Sequence, residues 1–144
     1  MSELKKVSDD LSVAGQISSE QLPELASAGF KSVLNLRSLG EKDFLNDEQQ
    51  QAEVAGLKYA NVPLNPQEPN QQLTAAAIQE IENLPKPILI HCAGGARAGG
   101  IALIADVLQA GLTYEEVVQK ANALGINLEQ PHLKQFLLEK FAKN

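Results

Sequence analysis

The sequence predicts an α/β fold: a three-layer sandwich whose mostly parallel central sheet is flanked by helices. Three observations carry the prediction. Short apolar runs alternate with longer segments of helical periodicity. The run PILIHC at 87–92 is almost continuously apolar, as in a strand covered on both faces. With 144 residues, 44% of them hydrophobic, the chain has material for one ordinary core. It carries no internal repeat, linker or low-complexity stretch, so residues 1–144 read as a single domain.

The elements follow in order. LSVAGQ, from Leu11, is a first short strand. ISSEQLPELASAGF is a helix, with an N-cap from Ser18 facing Gln21 or from Ser19 with Glu20 in the first turn. Pro23 is tolerated only in a first turn, which puts the start near Ser19, and Gly29 stands where a C′ glycine ends a helix. KSVLNLRS is a buried strand centred on Val33, Leu34 and Leu36. After the polar loop LGEKDFLN, Asn46 caps a helix through DEQQQAEVA, whose acidic, glutamine-rich face is solvated, and Gly56 closes it. LKYANVPL is the next strand and NPQEPN a proline-punctuated loop. QQLTAAAIQEIENL is a helix with Leu73, Ala76 or Ala77, Ile78 and Ile81 facing inward.

After the strand at 87–92, an apolar helix runs from about Arg97 to Ala110 and is broad enough to be buried. Its Gly99-Gly100 pair weakens helix propensity by about 1 kcal/mol each, which implies close packing against the sheet or a neighbouring loop. Asp106, deeper in this helix, is a structural or solvated carboxylate. Thr113 with Glu116 is a capping box that starts YEEVVQKANALG. Pro131 opens a last amphipathic helix, with Leu133, Phe136, Leu137 and Phe141 inward and His132 at the surface.

Composition excludes several function classes. A net charge of −6 and a pI near 4.9 argue against a polyanion-binding surface for nucleic acid or an acidic membrane. No apolar run approaches the roughly 18 residues of a membrane span, and no signal-peptide core follows the N-terminus. The single cysteine, Cys92, precludes an intrachain disulfide and suits a reducing cytoplasm. His, Cys and acidic residues do not cluster, so neither a metal nor another cofactor is expected.

The chemistry concentrates in PILIHCAGGARAGG. Ligands of open α/β sheets bind outside the carboxyl ends of the strands. If the strands are neighbours, Arg37, Asn65, Glu68, Cys92 and Arg97 converge there. A loop entering a helix N-terminus presents backbone N–H groups with no intrahelical partner, which favour an anion. Ala93, Gly94, Gly95 and Ala96 obstruct little, so these amides can curl around a ligand as a nest. Arg97 adds a planar fork suited to phosphate or sulfur oxyanions, at a helix end where a cation is otherwise disfavoured. The same field favours a thiolate at Cys92. One arrangement thus makes a nucleophile and holds the oxyanion it attacks.

Each residue also has a plainer reading. Cys92 can be a small buried residue at a turn, Arg97 a solvated arginine, Arg37 a strand-end surface charge and Asn65 a turn former before proline. His91 is expected to orient the loop through a ring hydrogen bond rather than act as a base.

HCAGGAR, with His before Cys and Gly three residues after it, resembles the signature of cysteine-dependent protein phosphatases. More closely, the chain resembles a small bacterial family of tyrosine-phosphatase-like domains, some of which occur fused to beta-lactamase-like hydrolases. The matching stretches are GQISSEQLPELASAGFKSVLNLR, AEVAGLKYANVPL and ILIHCAGGARAG, which together span about residues 14–110. The resemblance implies a phosphatase-like fold and a phosphocysteine intermediate on Cys92. It implies phosphate binding by Arg97 and the loop amides, with a phosphorylated protein or small phosphoester as partner and inorganic phosphate or sulfate as a ligand of the loop.

Three departures bear on activity. Typical cysteine phosphatases have five residues between Cys and Arg; here there are four, as in rhodanese sulfurtransferases. Ala98 follows the arginine where many phosphatases have Ser or Thr. Asn65 stands where the general-acid Asp is expected, leaving Glu68 as a substitute; general acids contribute about 10²–10⁴-fold. The sequence therefore allows a weak or atypical phosphatase for aryl phosphates, a sulfurtransferase carrying a Cys92 persulfide, or a non-catalytic anion- or phosphopeptide-binding module.

Overall fold

The computed structural model describes residues 4–141. Its sheet has five strands: β1 (Lys5–Lys6), β2 (Leu11–Ala14), β3 (Ser32–Asn35), β4 (Lys58–Asn61) and β5 (Ile88–His91). Their spatial order is β1-β2-β5-β3-β4. All pairings are parallel except β1 with β2. The predicted α/β sandwich is therefore present, with β1 as an antiparallel edge that the sequence reading did not contain.

Six helices cover both faces: α1 (Gln21–Ser27), α2 (Glu48–Val54), α3 (Gln71–Asn83), α4 (Ala96–Ala110), α5 (Tyr114–Leu124) and α6 (Pro131–Phe141). The alternation of side chains along β3 and β5 divides the core between the two faces. Val33 and Leu89 point toward Leu22, Leu25 and Ala52 of α1 and α2. Leu34, Ile88 and Ile90 point toward α3, α4, α5 and α6. Helix α4 is buried from Arg97 through Val107, which explains its nearly unbroken apolar sequence.

Local signals account for most helix ends. Thr113 and Glu116 form the predicted capping box. Gly29, at φ +104°, follows α1 as predicted. Elsewhere the caps differ. Neither Ser18 nor Ser19 caps α1; instead the Gln21 side chain accepts the Ser18 N–H at 2.8 Å. Asp47, not Asn46, holds the N-cap position of α2 and makes no side-chain bond. Asn70 caps α3 by accepting the Leu73 N–H at 3.0 Å. Asp106 is buried and pairs with Lys120 of α5, a structural role.

The Gly99-Gly100 pair has the predicted cause. A Cβ on Gly99 would stand 3.0 Å from Ile126 Cγ1, and one on Gly100 would stand 2.5 Å from Gln130 Oε1. The connection between α5 and α6 is seated directly on the start of α4.

Candidate active site

Strand β5 is central, with the carboxyl ends of β2 and β3 on either side: Ala14, His91 and Asn35 lie in register. The chain leaving β5 is stitched to both neighbours. Cys92 N–H donates to Ala14 O at 3.3 Å, Gln16 N–H to Ala93 O at 3.0 Å and Leu36 N–H to His91 O at 2.9 Å. These bonds fix where the 92–97 loop begins. Its turn into α4 is made at Gly95, the N-cap, whose φ of +100° strains any L side chain.

Cys92 is buried at the base of this loop. Gly95 N–H points at its sulfur with an N···Sγ distance of 3.1 Å, and Ala98 N–H does so at 3.5 Å. Two backbone donors thus converge on the sulfur. The N–H groups of Ala93, Gly94, Ala96 and Arg97 find no acceptor among the described residues. Together with the start of α4 they form a concavity of open donors, a geometry that favours an anion.

Arg97 is buried and held in a defined orientation. Nη1 donates to Glu41 Oε2 at 2.7 Å and to Leu64 O at 2.8 Å, while Nη2 donates to Glu41 Oε1 at 3.0 Å. This bidentate pair uses one edge of the guanidinium. Nε–H and the second Nη2–H have no acceptor among the described residues, which leaves the other edge for an anion. The Arg97 guanidinium holds the Glu41 carboxyl down from 4.5 to about 2, against an upward push from burial. Burial alone would pull Arg97 down, but Glu41 and the Cys92 sulfur together raise it.

Arg37, expected at the mouth, lies elsewhere. It is buried, and its fork is consumed by Glu41 Oε1 (3.1 Å), Gln16 Oε1 (2.6 Å), Asp43 O (3.3 Å) and Lys42 O. With its donors directed mainly into the 38–43 loop, it is neither an anion contact nor a surface charge. It fixes the loop that carries Glu41.

His91 contacts the loop only through Nδ1, 3.4 Å from Cys92 O. Its stronger partner is Glu48, with Nε2 2.5 Å from Oε2. Glu48 is buried and also accepts from Gln16 Nε2 (2.9 Å) and the Tyr59 hydroxyl (3.0 Å). Burial pushes its carboxyl up, yet the bonds from His91, Gln16 and Tyr59 outweigh this and hold it below its ordinary value. The α2 face expected to be solvated thus carries a buried anchor, because the helix turns this one carboxylate toward β5.

Asn65 adopts the turn reading. Its Oδ1 accepts the N–H groups of Gln67 (2.7 Å) and Glu68 (3.1 Å), and both Asn65 and Glu68 are exposed. The cleft above Cys92, about 390 Å³, is lined by Pro66 from this loop rather than by either of them. Its remaining walls are Cys92, Ala93, Gly94, Ala96 and Arg97, facing Asn127, Glu129, Gln130 and Pro131. The sequence reading missed this second wall, although the Gly99-Gly100 pair pointed to a close neighbour. It also missed Glu41 and Glu48; only the four-residue spacing from Arg37 hinted at Glu41. His132, expected at the surface, is buried because Gln130 and the first turn of α6 fold down onto α4. Among the described residues, no group of three or more His, Cys, Asp or Glu side chains could hold a metal ion. No described helix is long and apolar enough to cross a membrane.

Comparison with known proteins places the chain among phosphatase-like domains. A beta-lactamase hydrolase-like protein from Xylella fastidiosa is 30% identical over 129 residues, and one from Agrobacterium fabrum is 25% identical over 126 residues. Each alignment covers 85% of this chain but only 29% of the relative, so the chain spans less than a third of the curated relatives it matches. Among solved structures, a protein from Shewanella putrefaciens provisionally described as a phosphatase superposes with a TM-score of 0.80 at 24% identity, covering 94% of this chain and 89% of its own. The family model for the phosphatase-like domain of beta-lactamase hydrolase-like proteins matches residues 3–112, which include the whole cysteine loop. The chain belongs to that phosphatase-like domain family.

Proposed function

We propose that the chain is a cysteine-dependent phosphoric monoester hydrolase that acts on aryl phosphates, either protein phosphotyrosine or a small aryl ester. The observation that carries the reading is the 92–97 loop. A sulfur receiving two amide hydrogen bonds adjoins amide donors and an edge of Arg97 that have no acceptor among the described residues. Phosphate oxygens fit those donors, and inorganic phosphate or sulfate is the simplest ligand. In the first step Cys92 Sγ attacks phosphorus, an S–P bond forms and the P–O bond to the leaving group breaks. Arg97 and the amides stabilise the equatorial oxygens in the transition state. In the second step water attacks phosphorus, the S–P bond breaks, and phosphate and the thiolate are released.

The leaving oxygen needs a proton unless it is a good leaving group. Asn65 cannot supply one, and Glu68 is exposed on the same turn. Aryl phosphates should therefore turn over much better than alkyl phosphates, by a factor within the roughly 10²–10⁴ of a missing general acid. A reducing compartment keeps a thiolate nucleophile from oxidation, so this reading fits a cytoplasmic location best. Hydrolysis of p-nitrophenyl phosphate, with a phosphocysteine trapped by rapid acid quench, tests the proposal. Cys92→Ser should abolish turnover while retaining phosphate binding; turnover unaffected by this change refutes it.

The four-residue Cys–Arg spacing favours a second reading, persulfide transfer at Cys92. Transfer of sulfur from thiosulfate to cyanide, in the absence of phosphatase activity, would select it.

A further inference from the structure

Helices α3 and α6 both pack on α4 and leave a cleft of about 320 Å³ between them, separate from the cysteine loop. Its apolar lining comes from Ile78 of α3, Ile104 and Leu108 of α4 and Phe136 of α6. Two polar atoms on this lining are buried without a hydrogen-bond partner: Thr74 Oγ1 and His132 Nε2. Among the described residues they are the only buried side-chain polar atoms left so. Buried polar groups are normally paired, because leaving one unpaired costs about 1–3 kcal/mol. Both exceptions belong to residues that line one cavity.

The hydrogen bonds around Gln130 settle what His132 offers. Gln130 Oε1 accepts the Leu133 N–H at 2.9 Å, so its Nε2 is the amide nitrogen that faces His132 Nδ1 at 3.0 Å. Nδ1 must accept this bond, and the proton of the neutral ring is then on Nε2. Burial, reinforced by the charge of Arg97, lowers the His132 pKa and keeps the ring neutral. Nε2–H is therefore a buried orphan donor on a residue of an apolar cleft, with the Thr74 hydroxyl as a second polar group. Among the described residues no Lys or Arg lines the cleft, whereas Glu82 and Glu139 do. An anion is disfavoured.

We propose that this cleft is a second binding site, for an uncharged small molecule with a ring or short alkyl body and one hydroxyl or carbonyl oxygen. The oxygen accepts from His132 Nε2–H, Thr74 Oγ1 completes the bond network, and the body lies on Ile78, Ile104, Leu108 and Phe136. The site is back to back with the cysteine cleft, since Gln130, the partner of His132, lines the latter.

The test uses benzyl alcohol, cyclohexanol and benzamide, with benzoate as the charged control, titrated into the isotopically labelled protein and followed by NMR. At least one neutral probe should shift the resonances of Thr74, Ile78, Leu108 and Phe136 and the His132 ring saturably, and benzoate should bind at least about tenfold more weakly. Thr74→Val, on a half-buried helical position, should keep the melting temperature and weaken binding about fivefold, the loss of one neutral hydrogen bond. The proposal is overturned if none of the three neutral probes saturates, leaving the cleft to water alone. It is equally overturned if benzoate binds as well as they do, if the shifts map to the cysteine loop instead, or if Thr74→Val binds unchanged.

Discussion

Replacing Glu41 by Gln removes the carboxylate that orients Arg97 while preserving its shape. Glu41 accepts two bonds from Arg97, one from Arg37 and one from the Ser38 N–H, all between 2.7 and 3.1 Å. Its side chain is only 18% exposed, so solvent screens these contacts little. A folded value of about 2 against an ordinary 4.5 corresponds to about 3 kcal/mol of stability at neutral pH. The glutamine amide can still accept some of the bonds, which brings the expected loss to about 2–3 kcal/mol. For a chain of this size that is a fall in Tm of about 5–10 °C. The sign of the pH dependence follows from the lowered value. The stabilisation is complete above the unfolded value of 4.5, shrinks as pH falls toward 2 and is gone below it. The difference in urea midpoint between wild type and Glu41→Gln should therefore be full at neutral pH and much smaller near the folded value of about 2. Aryl phosphatase kcat/KM should also fall, because the free edge of Arg97 loses its aim. Equal Tm values for the two proteins, or a midpoint difference that does not change with pH, would refute the reasoning.

Other perturbations separate chemistry from scaffolding. Glu48→Ala breaks a buried pair with His91, leaves the Tyr59 hydroxyl without its acceptor and takes one of two acceptors from Gln16 Nε2; unfolding should become easier by about 3–5 kcal/mol in chemical denaturation. Gly95→Ala forces a side chain into φ +100°, at a cost of about 1–3 kcal/mol, and moves the amide that faces Cys92 Sγ, so phosphate affinity by calorimetry should drop along with stability. Asn65→Asp keeps the turn, since a carboxylate oxygen can accept the same two amides; turnover of aryl and alkyl phosphates should change by less than about threefold, and a gain of about tenfold would instead place residue 65 at the leaving group.

The parts of the molecule that could be read in advance are those encoded by local periodicity. The apolar β5 run, the glycine-rich loop and the Thr113 capping box are each written in a few adjacent residues. The cysteine loop and its open amides follow from them, since a loop between a buried strand and a buried helix can face only the sheet edge. The residues that remained hidden depend on tertiary contacts of charged side chains. Nothing near Glu48 distinguishes the one carboxylate that turns inward from the acidic residues that stay in water. Arg37 looks the same in sequence whether its fork meets an anion or the carbonyls of its own loop. His132 sits on a helix whose periodic apolar positions do not include it, and only the descent of Gln130 onto Gly100 draws it inside.

That descent divides the site by family membership as well as by geometry. The cradle at 92–97 lies within the stretch matched by the family model, whereas the facing wall of Asn127, Glu129, Gln130 and Pro131 lies beyond its end at residue 112. The half that holds the sulfur lies in the stretch by which the chain matches its family, and the facing wall lies outside that stretch. Gly99 and Gly100 are the joint between the two, because they belong to the matched helix but set the height at which the second wall rests. A wall of different sequence would have to fit those two positions before anything else, so the contour above the sulfur can be remade without disturbing the sulfur itself.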